Sequence, residues 1–234
     1  MKRIIEEKLR DWKLSSIRKP LLVRGARQVG KTHTIENFGN SKFTGKTSVF
    51  NFERNPEFRE IFKANLDPKR IIGELELIIG QQIIPGSDLL FFDEIQDCPE
   101  AISALRYFYE EFPELHIIGA GSLLEFGLQQ ISVPVGRIQS LNMHPMNFVE
   151  FLWATGKETL ADRLLQGSKK FSSIEINIIN KELEKYFLIG GMPECIQAFA
   201  QNNSYQQVVD IQTDLLSMFR QDFPKYVGRS DKDC

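Results

Sequence analysis

The sequence predicts a three-layer α/β fold built on a parallel sheet and followed by a separate helical part. Three observations predict it. An apolar triplet at residues 21–23 runs straight into a glycine-bracketed loop, a second apolar run at residues 88–94 ends in adjacent carboxylates, and such runs alternate with segments of helical period. Strands that alternate with helices pair in parallel through right-handed crossovers. From about Pro145 onward the strand signal stops and only helical patterns remain.

The elements come in order. Ile5, Leu9 and Trp12 recur at helical spacing among charges, predicting an amphipathic leader helix over residues 4–12 that packs on the domain. The triplet 21–23 is the first strand, and T-H-T-I-E-N-F after the loop reads as a helix that stops at Gly39. Residues 47–53 read as a second strand and 56–84 as helical material punctuated by Pro68, Gly73 and Pro85. The run 88–94 is a strand apolar enough to be buried on both faces. Asp97 with Glu100 three residues later reads as a helix cap, with Ile102, Leu105, Phe108 and Phe112 on one face until Pro113. Residues 116–122 form a further buried strand. Beyond Pro145, Asn147 and Glu150 form a capping pair for a helix over 148–155 ended by Gly156, and longer helices cover 174–188 and 205–219. The expected division is an α/β domain over 1–144 and a helical subdomain over 145–234.

The chemistry sits in two of these segments. G-A-R-Q-V-G-K-T, residues 25–32, has the form G-x-x-x-x-G-K-[ST], in which Gly25 and Gly30 let the backbone curl its N–H groups toward phosphate oxygens. Lys31 is expected to reach the β- and γ-phosphates and Thr32 to offer its hydroxyl to Mg²⁺, at a helix start whose dipole favours an anion. The expected nucleotide contacts are Gly25, Ala26, Arg27, Gln28, Val29, Gly30, Lys31, Thr32 and His33. In D-L-L-F-F-D-E, Asp93 is the expected metal carboxylate and Glu94 the base that polarises an attacking water. A phosphotransferase needs no such base, so the D-E pair favours hydrolysis over a kinase.

Composition bounds the alternatives. The 234 residues are 42% hydrophobic and 26% charged, ordinary globular material, and 29 basic against 31 acidic residues give a net charge of −2. Nothing global advertises a nucleic-acid surface. Cys98, Cys195 and Cys234 show no C-x-x-C spacing, so neither a disulfide framework nor a zinc site is expected. The three histidines are too scattered for a metal site, and the 18 phenylalanines read as core. The charged start lacks a signal-peptide core and no apolar stretch is long enough to span a bilayer, so a cytoplasmic location is expected.

R-G-A-R-Q-V-G-K-T, F-F-D-E-I-Q, I-I-G-A-G-S, V-G-R followed by L-N-M-H-P-M-N-F-V-E-F, and Y-F-L-I-G-G-M-P-E together resemble prokaryotic AAA+-type P-loop ATPases. The resemblance is closest to the branch that usually carries a nuclease-like C-terminal domain of unknown function. It covers nearly the whole chain and implies a sheet in the order 5-1-4-3-2 followed by a helical lid. It also implies adenine rather than guanine, since no N-K-x-D motif is present. Ser122 matches the sensor position and Arg137 an arginine that faces a nucleotide in its own or a neighbouring subunit. Gly190, Gly191 and Pro193 match an element whose proline lies against the nucleotide. Similar proteins continue past R-Q-D-F-P-K-Y, so a further domain is expected to be absent or truncated here. The expected function is Mg²⁺-dependent ATP binding and hydrolysis by a switch or motor, with a homo-oligomer, a protein or DNA as conceivable partners and no membrane. Two other readings stay open: a nucleotide-gated interaction module with little hydrolysis, and a DNA-associated ATPase.

Overall fold

The computed structural model describes residues 1–122, 136–167 and 170–222; Cys234 lies outside them. The chain divides into two compact units, Ile4–Met143 and a second made of Met1–Arg3 with His144–Cys234.

The first unit is built on five parallel strands: β1 (Leu21–Arg24), β2 (Thr47–Asn51), β3 (Leu89–Asp93), β4 (His116–Gly121) and β5 (Gln139–Asn142). Their order is β2-β3-β4-β1-β5, the expected arrangement read from the other edge. β3 and β4 are buried at every position, as interior strands of a two-sided sheet must be.

Alternate residues of these strands build two separate cores, one on each face. On one face Leu90, Phe92, Phe50 and Ile117 meet α3 (Phe58–Ala64), α4 (Pro68–Ile79) and α5 (Pro99–Glu111). Phe92 is its centre, with the rings of Phe50, Phe52, Phe62 and Phe108 all within 6.5 Å of it, centroid to centroid. On the other face Leu89, Phe91, Leu21, Val23 and Ile118 meet α1 (Ile5–Leu14) and α2 (Lys31–Lys42). Ile5, Leu9 and Trp12 are the buried residues of α1, as their spacing predicts.

Three local expectations are corrected. Gly39 does not stop α2, which runs on to Lys42; a Cβ at Gly39 would lie 2.3 Å from Thr47 Oγ1 and 2.9 Å from Leu89 Cδ2. The glycine is there because helix and sheet approach closely. Gly73 lies inside α4 and interrupts nothing, because neighbouring Ile71 and Leu75 bury against the sheet and outweigh its weak propensity. Asp97 does not cap α5: Cys98 is the N-cap and Pro99 the first helical residue, while Asp97 belongs to a 3₁₀ turn over Ile95–Asp97.

The second unit contains α6 (Phe148–Ala154), α7 (Glu158–Leu165), α8 (Ser173–Ile189), α9 (Pro193–Asn202) and α10 (Tyr205–Asp222). Asn147 and Glu150 form the expected capping box, and Ser172 with Glu175 forms a second one on α8. Glu150 is buried because it also binds an arginine: its Oε1 accepts from Arg3 Nε at 3.1 Å, while Arg3 Nη2 donates to the His144 carbonyl at 2.6 Å. Lys2 lies 3.9 Å from the Trp153 ring centroid. The first three residues thus group with the helical unit, a long-range pairing invisible in the linear sequence. Within that unit the P-M-N-F and G-G-M-P stretches lie together. Met146 N–H donates to the Gly191 carbonyl at 2.6 Å, Tyr186 Oη donates to the Met146 carbonyl at 2.8 Å, and a Cβ on Gly191 would sit 2.4 Å from that same carbonyl oxygen.

His116, at the buried start of β4, packs edge-on against Phe43 and Trp12, with centroids 4.8 and 5.9 Å away. Burial, reinforced by the positive charges of Arg18 and Lys13, lowers its pKa from 6.5 to about 4. Its Nδ1 is without a hydrogen-bond partner among the described residues. The unfolded chain therefore takes up this proton first as pH falls. Stability is expected to be full above pH 6.5, to decline by about 3 kcal/mol as pH drops to about 4, and to be indifferent to this group below that. Urea titrations from pH 7 to 4 on the wild type and His116→Gln check it: the variant should lack this component of the slope.

Candidate nucleotide site

The parallel register brings the ends of five strands to the same edge of the sheet. Asn51 pairs with Asp93, Asp93 with Ala120, Gly121 with Arg24, and Arg24 with Asn142. The loop 25–30 therefore leaves β1 at the carboxyl edge where β2, β3 and β4 also end, which is where open α/β sheets hold ligands.

The loop is wound as its glycines require. Gln28 and Gly30 have φ of 63° and 89°, left-handed values that in alternation with right-handed ones turn successive N–H groups toward one centre. Gly25 is pinned by space: a Cβ there would stand 2.1 Å from the Met143 carbonyl oxygen, and Met143 N–H donates to the Arg24 carbonyl at 2.7 Å. Val29 is fully buried and anchors the loop in the core. Gly30 caps α2 with no side chain hydrogen-bonded to the helix start, and the helix's own first turn holds no acidic residue, which leaves its positive end turned to the loop.

Lys31 is buried, and its Nζ donates to the carbonyls of Gly25 and Ala26 at 2.9 and 2.8 Å. Burial lowers its pKa, opposed by the nearby charges of Glu94 and Asp93. Thr32 Oγ1 lies 3.2 and 3.1 Å from the two carboxylate oxygens of Asp93, joining residues 61 positions apart. Asn51 Nδ2 donates to Asp93 Oδ2 at 2.9 Å. Even so, burial and then the charge of Glu94 raise the Asp93 pKa, partly countered by the bonds from Thr32 and Asn51. This is a desolvated anion short of positive charge.

Glu94 is half-buried and has left-handed backbone, φ 49° and ψ 46°, and its Oε2 accepts from Gln96 Nε2 at 2.7 Å. Ser122 follows β4 at the level of Gly25, and its hydroxyl is buried with no partner among the described residues. His33 is bonded to Asn37 through its Nε2 at 2.9 Å on the exposed side of α2. Asn51 and Gln96 are additions to the expected set. Only a register between β2 and β3 could have disclosed the first, and only the turn after β3 the second.

Two expected residues stand elsewhere. Arg137 precedes β5, whose Gln139 pairs with Leu21, so it lies at the opposite edge of the sheet, about 20 Å from the loop by strand rise. There it meets Glu110 at 3.2 Å and the ring of Tyr109 at 5.9 Å. It does not reach the phosphate loop of its own chain, and the contact it makes is a surface ion pair. Pro193 opens α9 in the helical unit, after Gly190, whose φ of 74° ends α8.

Residues 17–152 match the AAA domain family, more than half of the chain. The chain belongs to that family. Its residues 180–234 match a domain of unknown function, DUF8612. No curated protein matches the chain. Among solved structures, the chain resembles one titled "Structure of Drosophila ORC bound to DNA", with a TM-score of 0.50 and 14% identity over 90% of this chain and 66% of that one. The chain thus spans slightly less than two thirds of that neighbour, and the likeness is one of fold.

Gly25→Ala is expected to disrupt the site without touching its charged groups, because the new methyl must displace the Met143 backbone rather than a flexible side chain. Destabilisation of about 1–3 kcal/mol and loss of nucleotide binding should appear together in thermal melts and titration calorimetry.

Proposed function

We propose that this AAA domain binds ATP with Mg²⁺ and hydrolyses it. The observation that carries the reading is the meeting of Thr32 Oγ1 with both oxygens of Asp93 at the mouth of a wound, glycine-pinned loop. A P-loop hydroxyl and a strand-end carboxylate at this separation are the two protein groups that share one Mg²⁺ in phosphoryl-transfer sites.

The donor set fits that ion. Among the described residues no group of three or more His, Cys, Asp or Glu could hold a metal alone, so Thr32 and Asp93 would do so with phosphate oxygens completing the shell, as suits Mg²⁺. Its charge would offset that of the phosphates and relieve the desolvation of Asp93. Lys31 would exchange the Gly25 and Ala26 carbonyls for phosphate oxygens. Glu94, adjacent to Asp93 and outside the strand, would take a proton from the attacking water. Ser122 supplies a buried hydroxyl beside the loop, suited to orienting that water or a phosphate oxygen. Arg137, on the far edge of the sheet from the loop, would act on the nucleotide of a neighbouring copy.

Lys31→Ala and Glu94→Gln separate the two halves of this proposal. The first should weaken ATP binding at least about 100-fold, while the second should bind within about threefold of the wild type and lose about 100-fold or more in phosphate release. Equal loss of binding in both would remove the division of labour. Tight ATP binding by the wild type without phosphate release over hours would favour a nucleotide-gated module, and turnover stimulated by DNA in a salt-dependent manner would favour a DNA-associated ATPase. A rate per chain that rises with protein concentration in the wild type and no longer rises in Arg137→Ala would favour Arg137 of one copy acting at the nucleotide of the next.

A further inference from the structure

We propose that Gln96 is a positioning residue for hydrolysis, holding the Glu94 carboxylate by its side-chain amide so that one oxygen is fixed and the other faces the attacking water. This rests on the reading of Glu94 as the base. The basis is the turn after β3. Ile95 is fully buried, and a Cβ at Gly119 on β4 would stand 2.8 Å from Ile95 Cδ1, so the missing side chain makes the slot that Ile95 fills. With Ile95 driven inward, its neighbours Glu94 and Gln96 are both turned the other way and meet at 2.7 Å. The turn closes through Asp97 N–H to the Glu94 carbonyl and Cys98 N–H to the Ile95 carbonyl, each at 3.0 Å. Its far end is tied down by Arg59, whose Nη2 lies 3.7 Å from Asp97 Oδ2 and 2.7 Å from the Phe52 carbonyl oxygen.

Two features make this pair more than a surface hydrogen bond. Glu94 keeps a left-handed backbone that a non-glycine residue adopts at a cost, which is how sites store pre-organisation. Gln96 also has a buried Oε1 with no partner among the described residues. An amide serving only the fold would satisfy both ends. Here one end is left without a donor so that the other can point its N–H at a carboxylate, a charge-assisted bond that fixes the orientation of Glu94.

The test compares Gln96→Leu, which removes the amide at similar length, and Gln96→Glu, which keeps the shape and sets a carboxylate against Glu94. ATP affinity, phosphate release and melting temperature are measured for each. Gln96→Leu should keep ATP affinity within about twofold and lose about tenfold in kcat, and Gln96→Glu should lose more. In single-turnover measurements Gln96→Leu should add nothing to Glu94→Gln, since the amide acts only through that carboxylate. A Gln96→Leu turnover within about twofold of wild type, or a full further loss in the double variant, overturns the proposal while leaving hydrolysis standing. A wild type that binds ATP and releases no phosphate overturns both. Should Gln96→Leu melt early, the isosteric Gln96→Glu carries the same comparison.

Discussion

The site depends on one constraint: β3 is buried on both faces from Leu89 to Asp93, and a carboxylate ends it while still inside. A strand so apolar has no solvent-facing alternative and must lie in the middle of the sheet. Its neighbours then fall in parallel register, and the ends of β1, β2 and β4 come to the same edge of the sheet as Asp93. Thr32, Asn51 and Ser122 come from three different segments yet reach one edge because that register leaves them no other place.

Burial also sets the electrostatics. Desolvation works against both signs at once, lowering the pKa of Lys31 and raising that of Asp93. Neither charge is neutralised by the other through a direct bond: Lys31 donates to two carbonyls and Asp93 accepts from Thr32 and Asn51. Locking them into an internal salt bridge would have satisfied the fold and closed the site. Keeping them apart on neutral partners leaves a cation side and an anion side, matched to a polyphosphate and a divalent ion respectively.

Much of this was legible because it is local. Loop 25–32, the run 88–94 and the strand-helix alternation carry their meaning in residue type and spacing, and each lands where its pattern predicts. The part not legible is β5, α7 and α9, whose residues no local pattern singles out, and above all the tertiary pairings. Asn51 reads as one more residue of the strand 47–53 until β2 is set beside β3; Arg3 reads as a charged start until it pairs with Glu150. Arg137, taken from its motif, carries no statement of which sheet edge it occupies, and only the pairing of Gln139 with Leu21 supplies one. Asp97 fails as a cap because the turn and Arg59 already use it.

The glycines explain why local reading misleads at some of these positions. Gly39, read as a helix stop, and Gly119, read as a strand residue, both mark places where a neighbour occupies the volume of the absent side chain: Thr47 in one case, Ile95 in the other. At Gly25 the occupant is a backbone carbonyl. Propensity sees these residues only as weak helix or strand formers. Their contribution is to distances: α2 close enough to the sheet to bring Thr32 against Asp93, the turn after β3 deep enough to present Glu94 and Gln96 together, and the loop close enough to β5 to be held. A phosphate site of this kind is therefore specified as much by volume left out as by the charged groups placed in it.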